Sequence, residues 1–199
     1  MWKVSIRAAA LLACLGLAAC ASGPSTPSAG AHVQIDPKAQ AEFNQAVLAL
    51  KSNRDSDALR LLLGLTRQYP KLAGPFTNLG LLYLKEGKLP KAKQALLQAT
   101  TVRHDDAVAY NQLGVVYRKL GEFKLAQQAY EQALKLKPNF ADAHLNIGIL
   151  YDVYLNDLAQ ALVHYEKYQT LSTNPDKMVA KWIVDLKRRV KKQQAKAAS

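Results

Sequence analysis

Apolar side chains recur along most of the chain at the spacing of one helix face. One such set near the middle of the sequence is Leu113, Val116, Tyr117 and Leu120. Because an α-helix has about 3.6 residues per turn, side chains at this spacing lie on the same side of a helix. The pattern returns near the end of the chain with Val179, Trp182, Ile183, Leu186 and Val190. The sequence therefore predicts an all-α protein.

A second, longer period is superimposed on the helical one. Gly80, Gly114 and Gly148 are each 34 residues apart. The same interval separates three further sets of residues: Tyr83, Tyr117 and Tyr151; Leu79 and Leu113; Ala92 and Ala126. A fixed period of this length indicates an array of helical hairpins, in which each hairpin buries its apolar face only by stacking on a neighbour.

The size of the repeated side chains explains how such a hairpin would pack. We expect Gly114 and Ala126 where the two helices of one hairpin approach most closely, because only small side chains fit there. Tyr117 and Tyr130 would fill the space between these close approaches with aromatic area. Gly121 would permit the tight turn between the two helices.

The segment from Ala107 to Phe140 resembles the tetratricopeptide repeat (TPR). The residues that carry the resemblance are Tyr110, Leu113, Gly114, Tyr117, Gly121, Ala126, Tyr130, Ala133 and Pro138. It implies a right-handed superhelix of antiparallel helix pairs closed by a C-terminal capping helix. It divides the chain into four repeats at 39–72, 73–106, 107–140 and 141–174.

The first and last repeats depart from the pattern. The repeat 39–72 has Gln45 and Ala46 in place of Leu-Gly. In 141–174, Ala161 and Tyr165 fall one residue late, which predicts a one-residue insertion within Asp152–Asp157, a segment that also lacks the turn glycine.

The end of the chain is predicted to form the capping helix and a basic tail, residues 175–199. Asn174, Pro175 and Asp176 are typical of a helix start. Tyr168 stands where a small alanine is expected, so we expect it to push this helix outward or to change its angle. Trp182 is predicted to anchor the helix in the core, and an exposed, partner-binding Trp182 is the alternative.

The amino terminus predicts an exported, lipid-anchored protein. Residues 1–19 combine a positive start with a short apolar stretch and small residues, which is typical of a secretory signal and too short to span a membrane. The Leu-Ala-Ala-Cys run ending at Cys20 resembles the bacterial lipobox, which implies acylation of Cys20; Cys14 is the rival site. Ala21, which is not Asp, implies sorting to the outer membrane, facing the periplasm. Residues 20–38 are rich in Ala, Ser, Gly and Pro and are predicted to be a flexible tether.

Positive charge exceeds negative charge, with 27 Lys and Arg against 15 Asp and Glu. Part of the excess lies in a basic tail that consists of Lys187, Arg188, Arg189, Lys191 and Lys192. The tail is either a solvated helix end or a contact for an anionic surface such as phospholipid, peptidoglycan or an acidic protein. Nucleic acid is not an expected partner, because the signal exports the chain and no aromatic residues interleave the basic ones.

The TPR resemblance implies that ligands lie in a concave groove lined by the first helix of each repeat. One groove position carries an amide in every repeat: Asn44, Asn78, Gln112 and Asn146. The next is aliphatic: Val47, Leu81, Val115 and Ile149. A third reads Phe43, Thr77, Asn111 and Leu145, and Arg118 adds positive charge. Amides beside aliphatic side chains suit an extended peptide; the alternative is that the amides only help the helices to pack. The Lys and Arg residues of the family's carboxylate clamp are absent, so a chaperone-tail receptor is not expected.

Catalysis is not predicted. The four histidines are scattered, and no two have the i, i+4 spacing of metal ligands on one helix. No Gly-x-Ser-x-Gly motif or phosphate-binding glycine loop occurs, and no cofactor is expected. The TPR resemblance implies a scaffold or assembly factor for an envelope machine such as a pilus, a secretion system or a TonB-type system. The alternative is a cell-wall-associated lipoprotein that uses its basic tail. Homodimerisation through the C-terminal helix stays open.

Overall fold

A computed structural model describes residues 36–174 and 176–197, and all of its regular structure is helical. The α-helices are α1 (Pro37–Lys51), α2 (Asp55–Gln68), α3 (Ala73–Lys85), α4 (Leu89–Val102), α5 (Ala107–Lys119), α6 (Phe123–Leu136), α7 (Ala141–Ile149), α8 (Leu158–Leu171) and α9 (Lys177–Ala197). A π-helix, Leu150–Leu155, continues α7. The predicted signal, Cys20 and most of the tether lie outside the described residues.

The start of α1 differs slightly from the predicted boundary between tether and repeats. The tether was expected to extend to Lys38, whereas α1 begins at Pro37. Asp36 explains the earlier start, because its side chain accepts a hydrogen bond from the Lys38 N–H at 2.9 Å and so caps the helix. Proline at the first helical position fits the same geometry.

The helices stack as four antiparallel pairs. Each pair consists of a first helix (α1, α3, α5 or α7) and a second helix (α2, α4, α6 or α8), and each second helix also packs on the first helix that follows it. The predicted all-α array of helix pairs is confirmed. No helix in the described ranges has the length and apolar character needed to cross a bilayer.

The three glycines at the 34-residue interval occupy equivalent contacts. Each lies in a first helix and is covered by a large side chain from the second helix of its own pair: Leu96 on Gly80, Tyr130 on Gly114, and Tyr165 on Gly148. A Cβ atom added at Gly114 would lie 2.5 Å from the Tyr130 ring, and one at Gly148 would lie 2.6 Å from the Tyr165 ring. A larger side chain at these positions would therefore have to displace the covering Leu or Tyr side chain.

The turn inside each helix pair contains one residue with positive φ. Gly87 and Gly121 have φ values of 72° and 78°, which agrees with the turn predicted at Gly121. Asn53 and Asn156 take the same role in the first and fourth pairs, with φ values of 54° and 53°. Asparagine adopts this left-handed conformation more readily than most residues, so the two repeats that lack the turn glycine keep the same turn.

The predicted insertion in the fourth repeat takes the form of the π-helix. Leu150–Leu155 widens the last turn of α7, which accommodates one extra residue without breaking the helix. The Asp157 N–H then donates to the Tyr151 carbonyl at 2.9 Å. The widened turn leaves three apolar side chains exposed to solvent, Val153, Tyr154 and Leu155.

The last helix packs on α8 as a first helix would, through the buried side chains of Val179, Ile183 and Leu186. The Tyr168 hydroxyl accepts the Asp176 N–H at 3.4 Å, so this large side chain extends to the start of α9. Ile183 follows Gly148 by 35 residues, which is the repeat period plus the insertion. In the repeat pattern, Ile183 is therefore the residue of α9 that is equivalent to Gly80, Gly114 and Gly148.

Trp182 is not the core anchor that the sequence predicted. It is 37% exposed and packs only along one side, with its ring 5.6 Å from that of Tyr165. The physical reason is that no second helix follows α9 in the described part of the chain, so nothing covers the outer side of the indole.

Replacing Gly114 by alanine should destabilise the fold by about 1–3 kcal/mol, because the new methyl group would overlap the buried Tyr130 ring. Urea denaturation of the purified chain measures this free energy. Gly64 is the matched control: it is also helical, but a Cβ atom there meets nothing within 4 Å. Gly64→Ala should stabilise the protein by up to about 1 kcal/mol. Equal effects of the two changes would show that the glycine contacts do not control the packing.

Candidate functional site

The aliphatic row predicted for the groove has one residue in each first helix. Val47, Leu81, Val115 and Ile149 are all half-buried. The register continues onto α9 with Val184, which lies 35 residues after Ile149 and is 71% exposed. Val184 was not predicted as a groove residue, although Ile183 follows Gly148 by the same 35-residue interval. We call this row, together with the neighbouring amides, the first-helix face.

The groove amides, each three residues before a residue of the aliphatic row, form some hydrogen bonds within the protein. Asn44 accepts from the Gln40 amide at 2.9 Å, and Asn78 donates to the Gly74 carbonyl one turn earlier at 2.9 Å. Asn146 donates to the Asn111 side chain at 3.1 Å. Gln112 is half-buried and has no hydrogen-bond partner among the described residues. The NH2 donor and the carbonyl acceptor of its side chain are therefore both available to a ligand.

Two of the residues predicted to line the groove are buried instead. The Thr77 hydroxyl contacts the Asp106 carboxylate at 3.1 Å, and Asn111 is only 1% exposed. This position of a first helix points toward the next pair, so its side chain contacts that pair before it can contact a ligand. Phe43 and Leu145, at the same position, are half-buried; the Phe43 ring lies beside Gly74 of α3.

Asp106 explains why Thr77 is held inward. It caps α5 by accepting the Ala109 N–H at 3.0 Å and also contacts Arg103. Burial raises the pKa of the Asp106 carboxyl, but the hydrogen bonds from Ala109, Arg103 and Thr77 outweigh it and hold that pKa below its usual value. Asp106 is therefore a structural cap between the second and third pairs.

Asn111 carries an unsatisfied polar group at the junction of α5 and α7. Its side-chain oxygen accepts from Asn146, but its Nδ2 group has no acceptor among the described residues. A buried donor without a partner costs about 1–3 kcal/mol. Three of the four amides, Asn44, Asn78 and Asn146, therefore form hydrogen bonds within the protein, as the packing interpretation predicts. Peptide binding by the amides stays a prediction.

Arg118 lies near the C-terminal end of α5, on the same side of the helix as Val115. It is half-buried, and its Nε donates to the Tyr130 hydroxyl at 3.4 Å. The Tyr154 ring centre is 5.9 Å from the guanidinium carbon. Within the described ranges, no carboxylate lies within 4 Å of it, the distance of an ion pair.

Three of the five cations of the predicted basic tail form ion pairs. Lys187 contacts Glu166 of α8 at 2.8 Å, and Arg189 contacts Asp152 of the π-helix at 3.1 Å. Arg188 contacts Asp185 within α9 at 2.6 Å. Lys191 and Lys192 are exposed. The charge at the start of the tail therefore helps to hold α9 against the preceding pair.

A histidine pair that was not expected from the sequence lies between α7 and α8. His144 Nδ1 and His164 Nδ1 are 2.9 Å apart, and His144 Nε2 is 3.0 Å from the Pro138 carbonyl. Because a carbonyl only accepts, His144 must donate from Nε2, and His164 must donate from Nδ1 to His144. The two residues are 20 apart in sequence, so no local spacing signals the contact. No group of three or more metal-ligating side chains occurs among the described residues.

Two clefts lie away from the first-helix face. The larger, of about 380 Å³, lies between α2 and α4 above α3 and is lined by Leu63, Phe76, Tyr83 and Lys91 among others. The smaller, of about 270 Å³, lies between α1 and α2 around Arg54, Asp57 and Arg60. Neither contains a predicted groove residue.

Comparison with known proteins agrees with this geometry. A model of the tetratricopeptide repeat matches residues 107–140, and a second TPR model matches residues 80–121. Among solved structures, MamA 41-end from Desulfovibrio magneticus RS-1 is similar with a TM-score of 0.67 and 20% identity, over 82% of this chain and 91% of that one. TTC0263, a thermophilic TPR protein in Thermus thermophilus, is similar with a TM-score of 0.62 and 24% identity, over 74% and 80%. At these identities the likeness concerns the fold. No curated protein matches at a significant level.

The pair of His144 and His164 should make stability depend on pH. Burial lowers the pKa of His144, and burial together with His144 lowers the pKa of His164 to about 4. Both remain neutral in the folded protein, whereas the unfolded chain takes up protons near pH 6.5. Their contribution to stability is complete above about pH 6.5 and is lost as the pH falls toward 4.

We expect the free energy of unfolding to fall by about 1–2 kcal/mol between pH 7 and pH 5, allowing for the partial exposure of His164. Chemical denaturation at the two pH values measures the change. His164→Gln should reduce the difference, whereas His104→Gln, at an exposed turn, should preserve it. A pH dependence that survives His164→Gln unchanged would contradict the assignment.

Proposed function

We propose that the first-helix face binds an extended peptide segment of a protein partner, because tetratricopeptide repeat models match residues 80–121 and 107–140 and the fold of that family serves as a protein–protein interaction scaffold. One observation carries the proposal: the aliphatic row from Val47 to Val184 crosses every helix pair and remains partly exposed. A row of this kind buries apolar side chains of a ligand, and a nearby free amide such as Gln112 can bond its backbone.

The length of the row sets the length of the ligand. Packed helices lie about 10 Å apart, and an extended chain advances about 3.3 Å per residue. A peptide that runs from α1 to α7 would therefore use about 10 residues. An extended segment suits this face, because the row offers one aliphatic side chain on each successive first helix.

We further propose that the protein is a lipoprotein of the outer membrane that faces the periplasm. This proposal is supported by the sequence of residues 1–19, by the Leu-Ala-Ala-Cys run ending at Cys20, and by Ala21. The partner would then be a component of an envelope machine, for which the protein acts as a scaffold or assembly factor. A pilus, a secretion system and a TonB-type system are the candidates.

The alternative function, binding of an anionic surface through the basic tail, gains no support from the geometry. Lys187, Arg188 and Arg189 already form ion pairs with Glu166, Asp185 and Asp152. A surface that competed for Lys187 or Arg189 would have to break contacts that hold α9 in place. The exposed Lys191 and Lys192 keep this function open as a prediction.

Site-specific photo-crosslinking in intact cells tests the proposed face. A photoreactive residue at position 44 or 112, in the first helices α1 and α5, should crosslink to a partner protein. The same residue at position 98 or 128, on the second helices α4 and α6, should not. Gln112→Ala should weaken the complex by about fivefold, the loss of one hydrogen bond. Crosslinks that form equally on the second helices would rule out the face.

Substitution of single cysteines and of Ala21 tests the anchor and its address. Cys20→Ser should abolish incorporation of a palmitate analogue and release the protein from the membrane fraction, whereas Cys14→Ser should leave both unchanged. Ala21→Asp should retain the acylated protein in the inner membrane. Mass spectrometry and membrane fractionation measure these outcomes. Acylation that persists in Cys20→Ser would refute the proposed attachment site.

A further inference from the structure

We propose that Arg118 and the ring of Tyr154 form an anion-binding subsite at the edge of the first-helix face, and that it takes a carboxylate of the bound peptide. The carboxylate belongs either to an Asp or Glu side chain or to the C-terminus of the ligand. This inference rests on the proposed function, because it specifies the chemistry of the same ligand.

The first observation is that Arg118 is a half-buried cation with only neutral partners. The oxygens beside its guanidinium are the hydroxyls of Tyr130 and Tyr154. Partial removal of a charge from water is costly unless an opposite charge accompanies it. An arginine presents a planar fork that matches a carboxylate with two parallel hydrogen bonds, and here no carboxylate of the described chain occupies that fork.

In the fourth helix pair, the residue equivalent to Arg118 is also charged, but it has a counter-charge. Asp152 follows Arg118 by one repeat interval, and its carboxylate is engaged by Arg189 of α9 at 3.1 Å. In the first two pairs the same position holds Leu50 and Leu84, which need no polar partner. Of the two charged residues at this position, Arg118 and Asp152, only Asp152 has a counter-charge among the described residues.

The second observation is that the π-helix places an aromatic wall beside Arg118. Tyr154 lies in the inserted segment, and its ring is 4.7 Å from that of Phe123 at the start of α6. The Phe123 contact fixes one side of the Tyr154 ring, while the side chain as a whole stays 42% exposed. Insertions of this kind are frequent at functional sites, and a ring against the guanidinium orients its fork.

The third observation is the local charge. Lys119 and Lys124 are exposed on either side of the turn after α5. The one acid in that turn, Glu122, is held by Lys93 at 2.8 Å. The surface around Arg118 therefore favours an incoming anion.

The subsite is also continuous with the aliphatic row. Arg118 follows Val115 by three residues, which places it on the same side of α5 and about 5 Å further along the helix axis. An extended chain advances about 3.3 Å per residue. Because the proposed ligand crosses the helices, Arg118 lies about 5 Å to one side of its path, within reach of an acid on a residue next to the one that rests on Val115.

A synthetic library of random peptides of about 10 residues, prepared with free and with amidated C-termini, provides the probe. Peptides selected by the full chain should carry an Asp or Glu next to an apolar residue, or end in a free carboxylate there. Replacing that acid by its amide should weaken binding by about tenfold, the size of a charge-assisted contact. The same replacement should change binding less than about twofold in the Arg118→Met variant, as a double-mutant cycle requires.

Two further variants separate the subsite from general charge and from folding. Lys119→Met removes an adjacent exposed cation and should preserve the roughly tenfold effect of the acid. Arg118→Lys keeps the charge but loses the fork, so it should give an intermediate effect. Thermal unfolding of each variant, followed by circular dichroism, verifies that it is folded at the temperature of the binding assay.

The outcomes distinguish this inference from the proposed function. Selected peptides without a carboxylate at this place, or an acid effect that is equal in Arg118→Met, would overturn the subsite and leave peptide binding intact. Failure of every peptide to bind would overturn the proposed function and the subsite with it. An acid effect restricted to peptides with free C-termini supports the subsite and assigns it to a terminal carboxylate, whereas an effect in both forms assigns it to a side chain.

Discussion

The structure depends on the contact between a glycine of a first helix and a large side chain of the second helix in its pair. Leu96, Tyr130 and Tyr165 each rest on a glycine backbone, where even a methyl group would overlap them. This contact sets the distance between the two helices of a pair, and the pairs then stack at a regular interval. Ile183 occupies the same register in α9 and fills the space itself. No second helix pairs with α9 in the described part of the chain, and the outer side of Trp182 remains uncovered.

The surface proposed for binding follows from the same packing. A first helix uses one side for its own second helix and another for the neighbouring pairs, which leaves the line of Val47, Leu81, Val115 and Ile149 partly exposed. The face is thus a consequence of stacking and would exist without any ligand. Its chemistry differs from pair to pair, because the side chains around the row are free to vary where packing does not constrain them.

The fourth pair illustrates how a small change in length alters that chemistry. One additional residue converts the end of α7 into a π-helix and exposes Val153, Tyr154 and Leu155. The backbone still returns to the regular path, because Asn156 takes up the left-handed turn conformation that glycine supplies in the second and third pairs. The array tolerates the insertion because each pair contacts only its neighbours. The change places Tyr154 beside Phe123 and Arg118.

The sequence alone determined the all-α fold, the stride of the helix pairs, the role of the three glycines and the presence of the insertion. Each of these is written in residue type and spacing, since packing between adjacent helices selects for size at fixed intervals. The tertiary structure decided which polar groups are satisfied. Asn111 meets Asn146, His144 meets His164 and Arg189 meets Asp152, and none of these pairs is signalled by local spacing. Burial of Thr77 and Asn111 and exposure of Trp182 were likewise not predictable, because they depend on whether the next helix is present and on the side from which it packs. Periodicity records which side of a helix is covered, but only the three-dimensional arrangement determines the partner that covers it.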